Sequence, residues 1–173
     1  MARRRVRRYR RGRGRWSANI KNISETQSPI PIGINNVQVD LCTNPIQTST
    51  GVSQQYTVKN IELSVFAEIP ASGANGGVED LEHYIMFVPQ GMTVGNDYNL
   101  IHPEYIMAYY YQGNPISDSI ELGYKLKLKS RLSRRLQTGD KIIYFNKYNN
   151  TLSSPSNETY RINGICRWWT KAN

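Results

Sequence analysis

Hydrophobic and polar positions alternate with a period of two along most of this chain, from about residue 37 onward. Val37, Val39 and Leu41 fall on one face of an extended segment. Ile61, Leu63, Val65, Ala67 and Ile69 make a longer stripe, with Glu62, Ser64, Phe66 and Glu68 opposite. Tyr56 and Val58 are out of phase with that stripe, which places a bulge or break near Lys59-Asn60. Tyr84-Ile-Met-Phe-Val88 is apolar on both faces, as in a strand covered on both sides. Tyr105, Met107, Tyr109 and Tyr111 alternate again. Leu126, Leu128, Leu132 and Leu136 are predicted to share a face, and Gln-Thr-Gly-Asp at 137–140 has turn chemistry before a returning strand at 141–145. Tyr160, Ile162, Gly164, Cys166 and Trp168 form one face of a last strand.

No run of a dozen residues has helical periodicity; a short helical turn fits only between 93 and 103. Seven or eight short strands joined by Gly, Pro and Asn loops predict a single antiparallel sandwich or jelly roll. Roughly 140 residues of this kind bury about two-thirds of their unfolded surface, enough for one core. Residues 16–36 read as a tether, because isolated isoleucines lie among Ser, Asn and Thr, and Pro29 and Pro31 discourage helix. The predicted organisation is an arm at 1–15, a tether at 16–36 and a shell domain at 37–173.

Charge changes the picture at one end only. The chain has 22 Lys+Arg and 13 Asp+Glu, a net of +9. Arg3, Arg4, Arg5, Arg7, Arg8, Arg10, Arg11, Arg13 and Arg15 account for all of that excess, and the first acid is Glu25. The remainder holds 13 bases and 13 acids and is formally neutral. Apart from Val6, Tyr9 and Trp16 the arm has nothing to bury, so alone it is expected to stay disordered. Stretched out, 15 residues reach about 50 Å. Phosphate is its natural counterpart: arginine pairs with it in bidentate fashion, and each neutralised phosphate releases a counterion. Tyr9 and Trp16 offer stacking surfaces for single strands, or are incidental aromatics.

A second basic feature lies inside the domain. In Tyr124-Lys-Leu-Lys-Leu-Lys-Ser-Arg-Leu-Ser-Arg-Arg-Leu136, strand alternation sets Lys125, Lys127, Lys129, Arg131 and Arg135 opposite the leucines. Like charges on one face repel unless an anion covers them, which makes this a candidate second nucleic-acid surface. The alternative is a solvated face, or pairing with acids such as Glu121.

Other chemistry finds little footing. His83 and His102 are isolated and are expected to be structural. There is no P-loop, no Gly-x-Ser-x-Gly and no metal-ligand spacing, so neither an enzyme nor a cofactor is expected. Cys42 and Cys166 fit neither a disulfide framework nor a zinc site. The sequon matches at Asn22, Asn149 and Asn157 are expected to be chance, since no secretory leader is recognisable; nor is a membrane-spanning stretch.

The arginine arm, the segment Leu132-Ser-Arg-Arg-Leu-Gln-Thr-Gly-Asp-Lys-Ile-Ile143 and the late Tyr160-Arg-Ile-Asn-Gly-Ile-Cys-Arg-Trp-Trp169 together resemble the capsid proteins of circovirus-like single-stranded DNA viruses. The chain is shorter than typical members. The resemblance implies an eight-stranded antiparallel jelly roll, about sixty copies in a small icosahedral (T=1) shell, arms turned inward on single-stranded DNA, and residence in the virion and host nucleus. The same arm would then serve as a nuclear-localisation signal read by a host import receptor. An RNA satellite-virus capsid and a cellular basic-tailed nucleic-acid-binding protein are the alternatives. Twelve tyrosines and three tryptophans against three phenylalanines suit partly wet interfaces, so Tyr109–Tyr111 and Trp168–Trp169 are expected in core or intersubunit contacts.

Overall fold

Period-two alternation needs two sheets to bury its apolar sides, and that is the arrangement found. The structure, a computed structural model, describes residues 15–44, 55–70, 77–113, 121–151 and 159–172. Nine strands lie among them: β1 (Ser17–Gln27), β2 (Gly33–Thr43), β3 (Tyr56–Pro70), β4 (Val78–Val88), β5 (Ile106–Gly113), β6 (Glu121–Ser130), β7 (Arg134–Leu136), β8 (Lys141–Asn150) and β9 (Tyr160–Ala172). One helical turn, α1 (Tyr98–Ile101), falls in the predicted window and is followed by a 3₁₀ turn at Pro103–Tyr105.

All strand pairs are antiparallel. One sheet runs β1-β9-β3-β6, with the short β7 also on β3; the other runs β2-β8-β4-β5. The chain changes sheet at every connection except β4 to β5 and β6 to β7. Between the sheets Leu63, Val65, Leu126, Leu128, Ile162 and Cys166 meet Val39, Leu41, Leu81, Ile85, Ile142 and Tyr144, all buried. Each large side chain removed from water here contributes about 1.5–3 kcal/mol. A smaller cluster lies on the outer side of the second sheet, where Tyr98 covers Tyr84, Met86, Val88, Ile143 and Phe145. That cover explains why β4 is apolar on both faces.

The expected break near Lys59-Asn60 is a bulge. Asn60 has φ 51°, and the register of β3 on β9 slips between Lys59 and Glu62, so Val58 and Ile61 both point inward. The Gly-Asp at 139–140 forms a corner. Asp140 Oδ1 accepts from Gln90 N at 2.9 Å and Oδ2 from Gln137 N at 2.8 Å, while its carbonyl accepts from Asn44 N at 2.9 Å. Gly139 has φ 86°, the left-handed region that favours glycine. This motif therefore ties three segments together and is architectural.

Four expectations change. Residues 16–36 do not form a tether: β1 pairs with β9 from Ser17↔Thr170 to Gln27↔Tyr160, Ile23 and Ile30 are buried, and β2 begins at Gly33. The described strands number nine where the resemblance implies eight, the additional one being the three-residue β7. Leu132 does not join the other leucines; it sits between β6 and β7, outside the pleat, at 50% exposure. Met107 and Tyr109 do not share a face either. The pairing of β4 with β5 slips between Ile85 and Met86, so Met107 turns into the core while Tyr109 turns out.

Candidate nucleic-acid interface

Arg3, Arg4, Arg5, Arg7, Arg8, Tyr9, Arg10, Arg11 and Arg13 lie outside the described residues. Arg15 and Trp16 are described, and they mark where the arm joins the fold. Trp16 immediately precedes β1, and its ring lies beneath Lys59 Nζ, 3.9 Å from the centroid. Lys59 is opposite Trp169 in the register of β3 on β9, and Ala18 is opposite Trp169 on the other side. Trp16 is thus on the outer face of the β1-β9-β3-β6 sheet.

That same face carries the lysine strand. Lys125, Lys127 and Lys129 alternate with buried Leu126 and Leu128, and all three are exposed. They stand opposite Phe66, Ser64 and Glu62 of β3. Arg135, also exposed, lies opposite Thr57 in β7. Arg131 is exposed but sits in the turn between β6 and β7, outside the sheet register. Arg134 turns the other way, donating from a guanidinium NH2 to the Glu104 carbonyl at 2.6 Å.

Pairing brings in residues that the sequence reading left out. The outward positions of β9 include Arg161, Arg167 and Lys171, and β9 lies between β1 and β3. Lys59 joins them. Among the described side chains, this face holds Lys59, Lys125, Lys127, Lys129, Arg135, Arg161, Arg167 and Lys171 against the two carboxylates of Glu62 and Glu68. Both carboxylates are in ion pairs, Lys129 Nζ to Glu62 Oε1 at 3.2 Å and Arg161 to Glu68 Oε2 at 3.8 Å. Exposed pairs of this kind contribute at most about 1 kcal/mol and leave most of the face's charge uncompensated. Glu121 lies in β6, but its side chain is outside the described set, so the pairing expected for it is not at issue here.

A formally neutral body with one basic face must be acidic elsewhere. Asp40 and Glu82 lie on the outer side of the other sheet, with Asp97 ahead of α1, and Lys141 and Lys147 pair with Asp40 at 3.1 Å and Asp97 at 3.9 Å. Three carboxylates against two lysines leave that side close to neutral, so among the described side chains the positive excess of the sandwich lies on the β1-β9-β3-β6 face. Such a field orients an approaching polyanion toward one side.

The two histidines are placed differently. His83 is wholly buried between the sheets and bonded by Tyr144, Tyr124 and Asn146, whereas His102 pairs with Glu104 at 3.2 Å on the surface. Cys42 and Cys166 are both free thiols. Among the described residues no helix is long and apolar enough to cross a membrane. Tyr109, Tyr110 and Tyr111 are 53%, 40% and 50% exposed on the edge strand β5, while Trp168 packs against the core.

No protein-family model and no curated protein matches the sequence. Among solved structures, a decameric BFDV capsid protein aligns over 90% of this chain and 99% of its own, with 9% identity and a TM-score of 0.20. That score is too low to define a shared fold, so the likeness adds nothing to the account of the site.

Proposed function

We propose that this chain is a viral coat protein whose sandwich is a jelly roll and whose arginine arm packages single-stranded DNA. The strand orders β1-β9-β3-β6 and β2-β8-β4-β5, with repeated crossing between sheets, support the jelly-roll reading. One observation carries the functional reading: nine arginines lead directly into β1, in the sheet whose outer face carries, among the described side chains, eight bases and two acids. In this reading arm and face act on the same anionic polymer, and a shell with that sheet inward would present the face to the genome. The arm supplies sequence-independent phosphate contacts, and the sheet gives them a fixed surface.

In this reading about sixty copies close a T=1 shell, and about 540 arm charges neutralise a comparable number of phosphates. The arm also acts as the nuclear-localisation signal. Exposed Tyr109–Tyr111 contribute to contacts between copies, and the role needs neither catalysis nor cofactor.

Negative-stain microscopy of the full chain and of a chain lacking residues 1–15, each with and without single-stranded DNA, tests it. Uniform small spheres that protect DNA from nuclease only when the arm is present are the expected result. Monomers under every condition would refute the coat-protein reading.

A further inference from the structure

The basic face is not uniformly polar. Ile20 at 63% and Ile165 at 42% exposure interrupt it, together with partly exposed Phe66. Phe66 stands opposite Lys125 of β6 and Asn163 of β9. Its ring extends over Gly123, where a side-chain carbon would lie 2.6 Å from Phe66 Cζ and 2.9 Å from Cε2. The glycine leaves that space to the ring, which rests along the sheet rather than standing off it.

Phe66 and Ile165 help floor an open groove of about 760 Å³ that Asn22, Ser24, Lys125 and Asn163 also line. Ser24 Oγ donates to Asn163 Oδ1 at 2.9 Å, which holds the amide with its oxygen toward Ser24 and leaves its NH2 as a donor. An aromatic ring between a lysine and a donor amide matches the three parts of a nucleotide: a flat base, an edge rich in acceptors and an anionic phosphate.

We infer that Phe66 is a stacking platform for an unpaired base, with Lys125 and Lys127 on the flanking phosphates and Asn163 at the base edge. The ligand class is single-stranded nucleic acid, because a duplex keeps its base faces stacked and out of reach. Charge alone attracts both forms; the ring makes the preference. This rests on the nucleic-acid reading of the basic face.

The test uses the full chain with bromodeoxyuridine-substituted oligo(dT), irradiated and digested so that cross-linked peptides can be sequenced. Affinities for the single strand and for a duplex of equal length are measured alongside. The expected result is a cross-link on the peptide containing Phe66. Phe66→Leu should abolish it and weaken single-strand binding about tenfold, with duplex binding unchanged. Phe66→Tyr, which keeps the ring, should retain both, and Lys127→Gln should weaken single strand and duplex alike. Cross-links confined to residues 1–16, with Phe66→Leu binding as wild type, overturn the platform and leave the arm's role standing. Absence of binding to either nucleic acid overturns the underlying reading as well.

Discussion

At the centre of the sandwich His83 Nδ1 is 2.7 Å from the Tyr144 hydroxyl and 3.2 Å from Asn146 Nδ2, while Nε2 is 3.0 Å from the Tyr124 hydroxyl. The Asn146 amide is oriented by two groups: its oxygen accepts from Tyr160 at 2.6 Å, and its nitrogen donates to the Glu82 carbonyl at 3.1 Å. Nδ1 therefore accepts from the amide, and Nε2–H donates to Tyr124. Among the described residues no carboxylate is hydrogen-bonded to the ring, and burial pushes its pKa down from 6.5 to about 3. An unfolded chain takes up a proton below pH 6.5 that the folded chain refuses. The stability held by neutral His83 is thus complete above pH 6.5 and is lost as pH falls toward 3, at about 1.4 kcal/mol per pH unit. Urea unfolding of the wild type at pH 7 and pH 5 should differ by about 2 kcal/mol through this group. His83→Gln should be less stable at pH 7 and should lack that share of the pH dependence; an identical slope in the variant would assign the effect to other groups.

Among the elements, β1 is the one whose role the sequence disguised. It is an edge strand with most side chains exposed, and only Ile23 of its eleven residues is buried, so no alternation marks it. Its place is fixed from the other side. Gly164 of β9 has no room for a side chain, since a carbon there would lie 2.5 Å from the Ser64 carbonyl and 3.2 Å from Ile23 Cγ1. A chain beginning at residue 15 should melt with the full-length protein. One beginning at residue 28 loses the β9 pairing and the Ile23 contact and should lose at least about 2–5 kcal/mol, or fail to fold, in a thermal melt followed by circular dichroism. Equal melting would restore the tether. The strands with a buried stripe, β3, β6 and β9, were legible because alternation reports burial directly. The lysine row of β6 was legible for the same reason, whereas β8, buried on both faces, was legible from the turn that precedes it. Arg161, Arg167 and Lys171 were visible as the outward side of β9, but their membership of the basic face depends on β9 lying between β1 and β3, a long-range pairing that no local pattern encodes. Arg131 and Leu132 were misplaced because the strand was carried through a turn.

At the scale of the molecule, charge is uneven twice: the arm is basic where the body is neutral, and within the described body the positive excess lies on one face. The body's 13 bases and 13 acids cancel, so copies of it can approach without net repulsion. The arm has no such balance. In a closed shell of about sixty copies the arms would confine about 540 positive charges, and with a Debye length of about 10 Å at 0.1 M salt those charges repel unless a polyanion is present. Assembly of the full chain without nucleic acid should therefore be absent at low salt and should appear only near 1 M, where screening shortens to about 3 Å. Single-stranded DNA should restore assembly at low salt, by a titration that saturates when phosphates roughly match arginines. The chain lacking residues 1–15 should assemble, or fail to, with little dependence on salt. Sedimentation velocity across a salt series, with the absorbance ratio of each fraction recording nucleic acid, separates these cases. Nucleic-acid-free shells of the full chain at 50 mM salt would show that contacts between the bodies outweigh arm repulsion, and that packaging follows assembly instead of driving it.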